Sequence, residues 1–86
     1  MLGMLRTVSV TTSWAPLGDV VAGRVSILNN TGAAIQVRFA HDDTSGHSIT
    51  LKDGQSSPPL LLMSRNITEV EIKADAGADG VELFLD

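Results

Sequence analysis

The chain has no cysteine and no tyrosine, and its aromatic complement is one tryptophan and two phenylalanines, 3% of the residues. Without cysteine there can be no disulfide and no thiolate-bound metal, and cysteine usage leaves the redox compartment open. So few aromatic rings leave a sugar-binding module short of the two or three exposed platforms it stacks against. Positive charge is also short: six Lys and Arg against ten Asp and Glu give a net charge of −4. Phosphate neutralisation needs the opposite balance, so nucleic acid is excluded as the expected partner. No apolar run approaches the roughly 20 residues that cross a bilayer, so no membrane partner is expected. Met1-Leu2-Gly3-Met4-Leu5-Arg6 is too short for a secretory signal and carries its charge on the wrong side, which points to an unsecreted protein. No repeat, low-complexity segment or capped helical stripe occurs.

What remains is 86 residues with 43% hydrophobic and 19% charged side chains, a globular composition of one domain over residues 1–86. Residues 1–5 are expected to be a loose N-terminus. A domain this small buries only about 60–65% of its unfolded surface, so association with copies of itself would supply missing buried area.

Strand periodicity dominates. Val8 and Val10 alternate with Thr7, Ser9 and Thr11. Val21, Gly23, Val25, Ile27 and Asn29 share one face of the next segment, and the glycine within it signals a bulge or a close backbone approach. Asn29-Asn30-Thr31-Gly32 is a turn. Ile35, Val37, Phe39 and His41 line one face of a strand that Asp42-Asp43-Thr44-Ser45-Gly46 interrupts. His47–Leu51 returns as its hairpin partner.

Pro58-Pro59 restricts Leu60-Leu61-Leu62-Met63 to a sheet edge or an extended crossover. Ser64-Arg65-Asn66 reads as a loop. Thr68, Val70, Ile72 and Ala74 are expected inside a further strand, with Glu69, Glu71 and Lys73 outside. Val81–Leu85 is expected to pair with it as a C-terminal hairpin. About seven short, mainly antiparallel strands with a turn every 8–12 residues predict an all-β sandwich, jelly-roll or immunoglobulin-like, with a small barrel as the alternative.

Chemistry is sparse. His41, Asp42, Asp43 and His47 form the one cluster of metal-ligand types, but their spacing fits no established ligand pattern and equally describes an ordinary turn. There is no Gly-x-Ser-x-Gly elbow and no phosphate-binding glycine loop. Glu69 and Glu71 lie on one strand face, not across a cleft as glycosidase carboxylates do. No catalytic residue, cofactor, metal or small-molecule substrate is therefore expected, and an enzyme ranks below a structural protein or a ligand-binding module. Asn29-Asn30-Thr31 and Asn66-Ile67-Thr68 match the glycosylation sequon, as chance matches in turns.

Candidate interface residues are easier to name. Trp14 either plugs one end of the sandwich or anchors a partner, as tryptophan often does at binding hot spots. Leu60, Leu61, Leu62 and Met63 either pack as core or form a subunit contact. Residues 66–86 carry six acidic side chains against Lys73, while residues 1–65 carry five basic and four acidic ones. The acidic segment, with Glu69 and Glu71, is either a solvated face or a patch that meets Arg6, Arg24, Arg38 or Arg65 of a neighbouring copy.

Several of these segments together resemble small β-sandwich proteins of tailed bacteriophages and prophages. The likeness rests on Trp14-Ala15-Pro16-Leu17, Gly23–Gly32 and Ile35-Gln36-Val37-Arg38-Phe39. It continues through Gly46-His47-Ser48-Ile49-Thr50-Leu51-Lys52-Asp53-Gly54 and Val81–Leu85, covering most of residues 7–85. It implies a virion component or assembly accessory: capsid decoration, head–tail or tail-associated subunit, or part of a fibre. It also implies partnership with itself as a homo-oligomer and with other virion proteins, in the virion or in host cytoplasm before assembly. The long arm or coiled coil of a fibre shaft is missing. A small carbohydrate- or ligand-binding sandwich is the alternative.

Overall fold

The computed structural model describes residues 3–40 and 47–86. Alternating β-branched segments form eight strands: β1 (Met4–Val10), β2 (Ala15–Pro16), β3 (Val21–Asn29), β4 (Ile35–Phe39), β5 (Ile49–Leu51), β6 (Leu60–Asn66), β7 (Val70–Ala74) and β8 (Ala78–Leu85). They make two four-stranded sheets, sheet A in the order β1-β8-β3-β6 and sheet B in the order β2-β7-β4-β5. All pairings are antiparallel, and β1 with β8, β2 with β7, β3 with β6 and β4 with β5 are nested inside one another. Nested pairs wound over two sheets are a jelly roll, so neither the immunoglobulin-like order nor a closed barrel applies.

The apolar faces meet between the sheets. Val25, Ile27, Val81 and Leu83 of sheet A lie against Ile35, Val37, Val70 and Ile72 of sheet B, each at most 3% exposed. Leu17, from the β2–β3 connection, and Ile67 complete this core. Every fully buried side chain in it is aliphatic or Asn29, so the fold is held by branched side chains fitting a pleated surface, not by aromatic bulk.

Several sequence expectations change. Residues 70–74 and 81–85 are not a hairpin: β7 lies in sheet B and β8 in sheet A, where β8 sits between β1 and β3. Two one-faced strands give the same alternation whether they lie side by side or face each other across a core, so periodicity cannot separate the cases. Residues 64–66 continue β6 instead of looping. Ile67–Glu69 forms a single 3₁₀ turn, not strand, because the Asn66 carboxamide oxygen accepts from the Thr68 backbone N–H at 3.0 Å. That turn buries Ile67 and exposes Thr68. Finally, pairing begins at Met4, inside the stretch expected to be loose.

The β3–β6 register shifts between Ala22 and Arg24, where Gly23 stands opposite three residues of β6. The shift turns Val21 outward, at 49% exposed, and Ala22 inward, whereas simple alternation placed Val21 and Gly23 inside. A side chain at Gly23 would stand 3.1 Å from the backbone oxygen of Asp86, the close approach that the glycine signalled.

Asn29, fully buried, fixes the turn into sheet B. Its Nδ2 donates to the carbonyls of Ala33 (2.6 Å) and Leu51 (2.8 Å), and its Oδ1 accepts from the Thr31 N–H (3.1 Å) and hydroxyl (2.7 Å). One carboxamide thereby joins β3 of one sheet to β5 of the other. Being buried with Nδ2 engaged, it is no glycan acceptor, and Asn66 spends its own Nδ2 on Asp19 at 2.6 Å.

Candidate interaction surface

The outer face of sheet B is closed on itself. Cross-strand register sets Arg38 opposite Glu71. Arg38 Nε donates to Glu71 Oε1 at 2.9 Å and Nη2 lies 2.9 Å from the same oxygen, with both side chains about four-fifths covered. The Arg38 guanidinium also lies 4.2 Å from the centroid of the Trp14 ring, and the Lys73 ammonium 5.4 Å from it. Both distances are within cation–π range. Trp14 is thus neither a buried end plug nor an open anchor: it is half-buried on the outside of sheet B beneath two cations.

Sheet A presents a different outer face. Register places Leu5 beside Phe84 and Phe84 beside Ser26. Leu5 is 73% exposed and Phe84 46%, and with Ser26, Pro59 and Arg24 they border a shallow hollow of about 440 Å³. Among the described residues, five of the six large exposed hydrophobic side chains belong to sheet A: Leu5, Val21, Leu61, Met63 and Phe84, against Ile49 in sheet B. None of the three aromatic residues is in the buried core.

Arg24 closes the rim of this hollow. Its Nε donates to Asp86 Oδ2 at 3.0 Å and its Nη2 to the same oxygen, while the backbone N–H groups of Gly23 and Arg24 donate to the Asp86 carbonyl at 2.7 and 3.1 Å. The hydrogen bond and the charge of Arg24 hold the Asp86 carboxyl below its ordinary pKa. Arg24, Arg38 and Glu71, candidates for contacts with a neighbouring copy, therefore form ion pairs within one protomer.

The run Leu60–Met63 divides. Leu62 is core and Leu60 packs against it, while Leu61 and Met63 are exposed at 72% and 85% on the free edge of β6. Met63 and Ser64 both adopt positive φ, +53° and +67°, two successive left-handed residues without a glycine. They supply the extra chain length that faces Gly23.

An apolar groove of about 440 Å³ opens where β5 and β6 face each other, lined by Val37, Phe39, Ile49, Pro58, Leu60 and Val70, with Arg38 and His47 also on its wall. Glu69 is half-buried in the 3₁₀ turn. His41, Asp42 and Asp43 lie outside the described residues. Among the described residues no group of three or more His, Asp or Glu is placed to hold a metal ion. Nor is any helix among them long and apolar enough to cross a membrane.

No protein-family model, curated protein or solved structure matches the chain. The surface must therefore be read from its own chemistry. Of the residues singled out by sequence, Leu61 and Met63 are on open surface, Leu60 and Leu62 serve the core, and Trp14, Arg38 and Glu71 form one intramolecular cluster. Leu5 and Phe84 escaped notice. Phe84 was within reach, because the inward alternation of Val81, Leu83 and Leu85 leaves it no place but the outer face.

Proposed function

We propose that this chain is a non-enzymatic structural subunit that assembles with copies of itself through sheet A. The observation that carries this reading is the row Leu5–Phe84, with Leu61 and Met63 beyond it, exposed on one sheet while the opposite sheet covers its only tryptophan with an ion-paired arginine. Aromatic and aliphatic side chains on an otherwise polar small protein mark contact surfaces. The resemblance to phage and prophage sandwiches supplies a setting, a capsid decoration, head–tail or tail-associated subunit, in the virion or in host cytoplasm beforehand. The jelly roll is also an architecture of viral capsid domains, an analogy of fold alone.

Sedimentation velocity across a concentration series tests the reading. The expected result is a rising weight-average mass for the wild type and at least a tenfold weaker association for Leu5→Glu, which desolvates a charge at the contact. A mass that stays at one protomer up to the solubility limit would refute it.

A small ligand-binding module is the competing reading, favoured by the apolar groove between β5 and β6. Its carbohydrate version is weakened by Trp14, one face of whose ring is already occupied by Arg38. Saturable binding of an apolar fluorescent probe to a strictly monomeric protein would favour it.

A further inference from the structure

A jelly roll has four free edges, and in this protein three of them are spoiled for pairing. β2 is two residues long and contains Pro16, and β5 is three residues long. β6 follows Pro58-Pro59 and is broken by the left-handed pair Met63–Ser64, which turns its backbone groups out of line. Short edges, prolines and bulges are the devices by which sheets avoid joining. β1 carries none of these three, and its one charge, a further such device, is Arg6. It runs for seven residues without glycine or proline, and the one irregularity in its pairing with β8 is absorbed by Gly80 on the β8 side.

We infer that β1 is the seam of a two-fold dimer, in which the strand pairs antiparallel with β1 of a second copy and joins two sheets A into one of eight strands. The inference rests on the assembly reading above and names its contact. The occupant is a second copy because the strand is complementary to itself in the register that overlaps it fully. Side chains directly opposite must share a face, so the axis passes through a residue position. An axis at Arg6 would set two guanidinium groups opposite each other, which like charge disfavours. An axis at Thr7 overlaps all seven residues, opposes Thr7 to Thr7, Met4 to Val10 and Leu5 to Ser9, and faces each Arg6 with an uncharged Val8. Leu5, 73% exposed in one protomer, is then covered along the seam.

Size agrees. Seven residues span about 24 Å, and the shortest extent of the molecule is 20 Å. A side wall of those dimensions buries on the order of 1,000 Å² over both copies, the lower limit for a specific interface. Affinity is accordingly modest in solution and strengthened where many copies are arrayed.

The absence of native cysteine makes the test direct. Opposed residues of an antiparallel pair have Cα atoms about 4.5–5.5 Å apart, within disulfide reach. Thr7, Thr50 and Ser26 are each replaced by cysteine in the full chain, on the β1 edge, the β5 edge and the outer face of sheet A. The variants are oxidised at matched concentration and read on non-reducing gels, with circular dichroism confirming the fold. Thr7→Cys is expected to form covalent dimer at least tenfold faster than Thr50→Cys or Ser26→Cys. If Thr7→Cys is no faster than Thr50→Cys while the wild type associates, the seam is refuted and the assembly reading stands. Preferential cross-linking of Ser26→Cys also refutes the seam, in favour of face-to-face contact. A wild type that is monomeric throughout refutes both.

Discussion

Replacing Asn29 by alanine is the perturbation whose cost can be worked most directly from the structure. The carboxamide makes four hydrogen bonds and is completely buried. Its bond to the Leu51 carbonyl is buried as well, so truncation strands that acceptor at about 1–3 kcal/mol. The partners at Ala33 and Thr31 lie nearer solvent, where water replaces the lost bonds at roughly 0.5–1 kcal/mol each. The sum is about 2.5–6 kcal/mol. The stability expected for 86 residues is about 4–13 kcal/mol, so the loss is a large share of it. Urea unfolding followed by circular dichroism should show the midpoint falling with the slope unchanged, since the same surface is exposed on unfolding. Asn29→Asp refines the test. A carboxylate can still accept from Thr31 but cannot donate to the two carbonyls, so burial and those carbonyls raise its pKa in the folded state. Its added cost should be small near pH 4 and grow as pH rises toward 7. An Asn29→Ala variant losing less than about 1 kcal/mol at unchanged slope would refute the idea that this side chain clasps the two sheets.

Gly80, at φ +107°, would place a Cβ 2.5 Å from the Asn30 carbonyl oxygen, so Gly80→Ala should cost more than about 2 kcal/mol by thermal or urea unfolding. Ser64→Gly should act in the opposite sense, raising stability by about 0.5–1 kcal/mol, because it relieves a left-handed residue at φ +67°. Arg38→Met should destabilise by about 1–3 kcal/mol and increase acrylamide quenching of Trp14 fluorescence, since it uncovers the ring and leaves Glu71 without its partner. Asp86 is held below its ordinary value of 3.8 by Arg24, so its contribution to stability is complete above that value and is lost as pH falls through the lowered one. In Arg24→Met, an NMR titration should find the Asp86 carboxyl closer to its ordinary value.

The fold was legible where one strand carries one clear face. Ile35–Phe39 and the turn at Asn29–Gly32 could be read from residue types, while at Gly23 (bulge or close approach) and Pro58-Pro59 (edge strand or crossover) residue types narrowed the choice to two, because each is a local consequence of backbone freedom or alternation. Sheet membership was not. The apolar faces of β7 and β8 look the same in sequence whether the strands are neighbours or opposed, and the turn Asp75-Ala76-Gly77 serves either geometry. Asn66 disguised the 3₁₀ turn, since its carboxamide captures the Thr68 N–H through a local bond that alternation does not encode. For the surface, the run Leu60–Met63 read equally as core or as subunit contact; alternation along β6 sends Leu60 and Leu62 inward and leaves Leu61 and Met63 exposed. The pairing of Arg24 with Asp86 joins residues 62 positions apart and has no local signature.

The nested strand order also dictates a timetable. β8 is the last strand along the sequence, yet it is the plank between β1 and β3, and neither of those touches the other without it. A nascent chain ending before residue 78 therefore holds β1, the proposed seam, with no lateral support on either side. Closure waits until β8 emerges from the ribosome, and loop-closure entropy makes that step slow compared with hairpin formation. On the proposed seam, a properly supported β1 edge exists only after β8 has been translated.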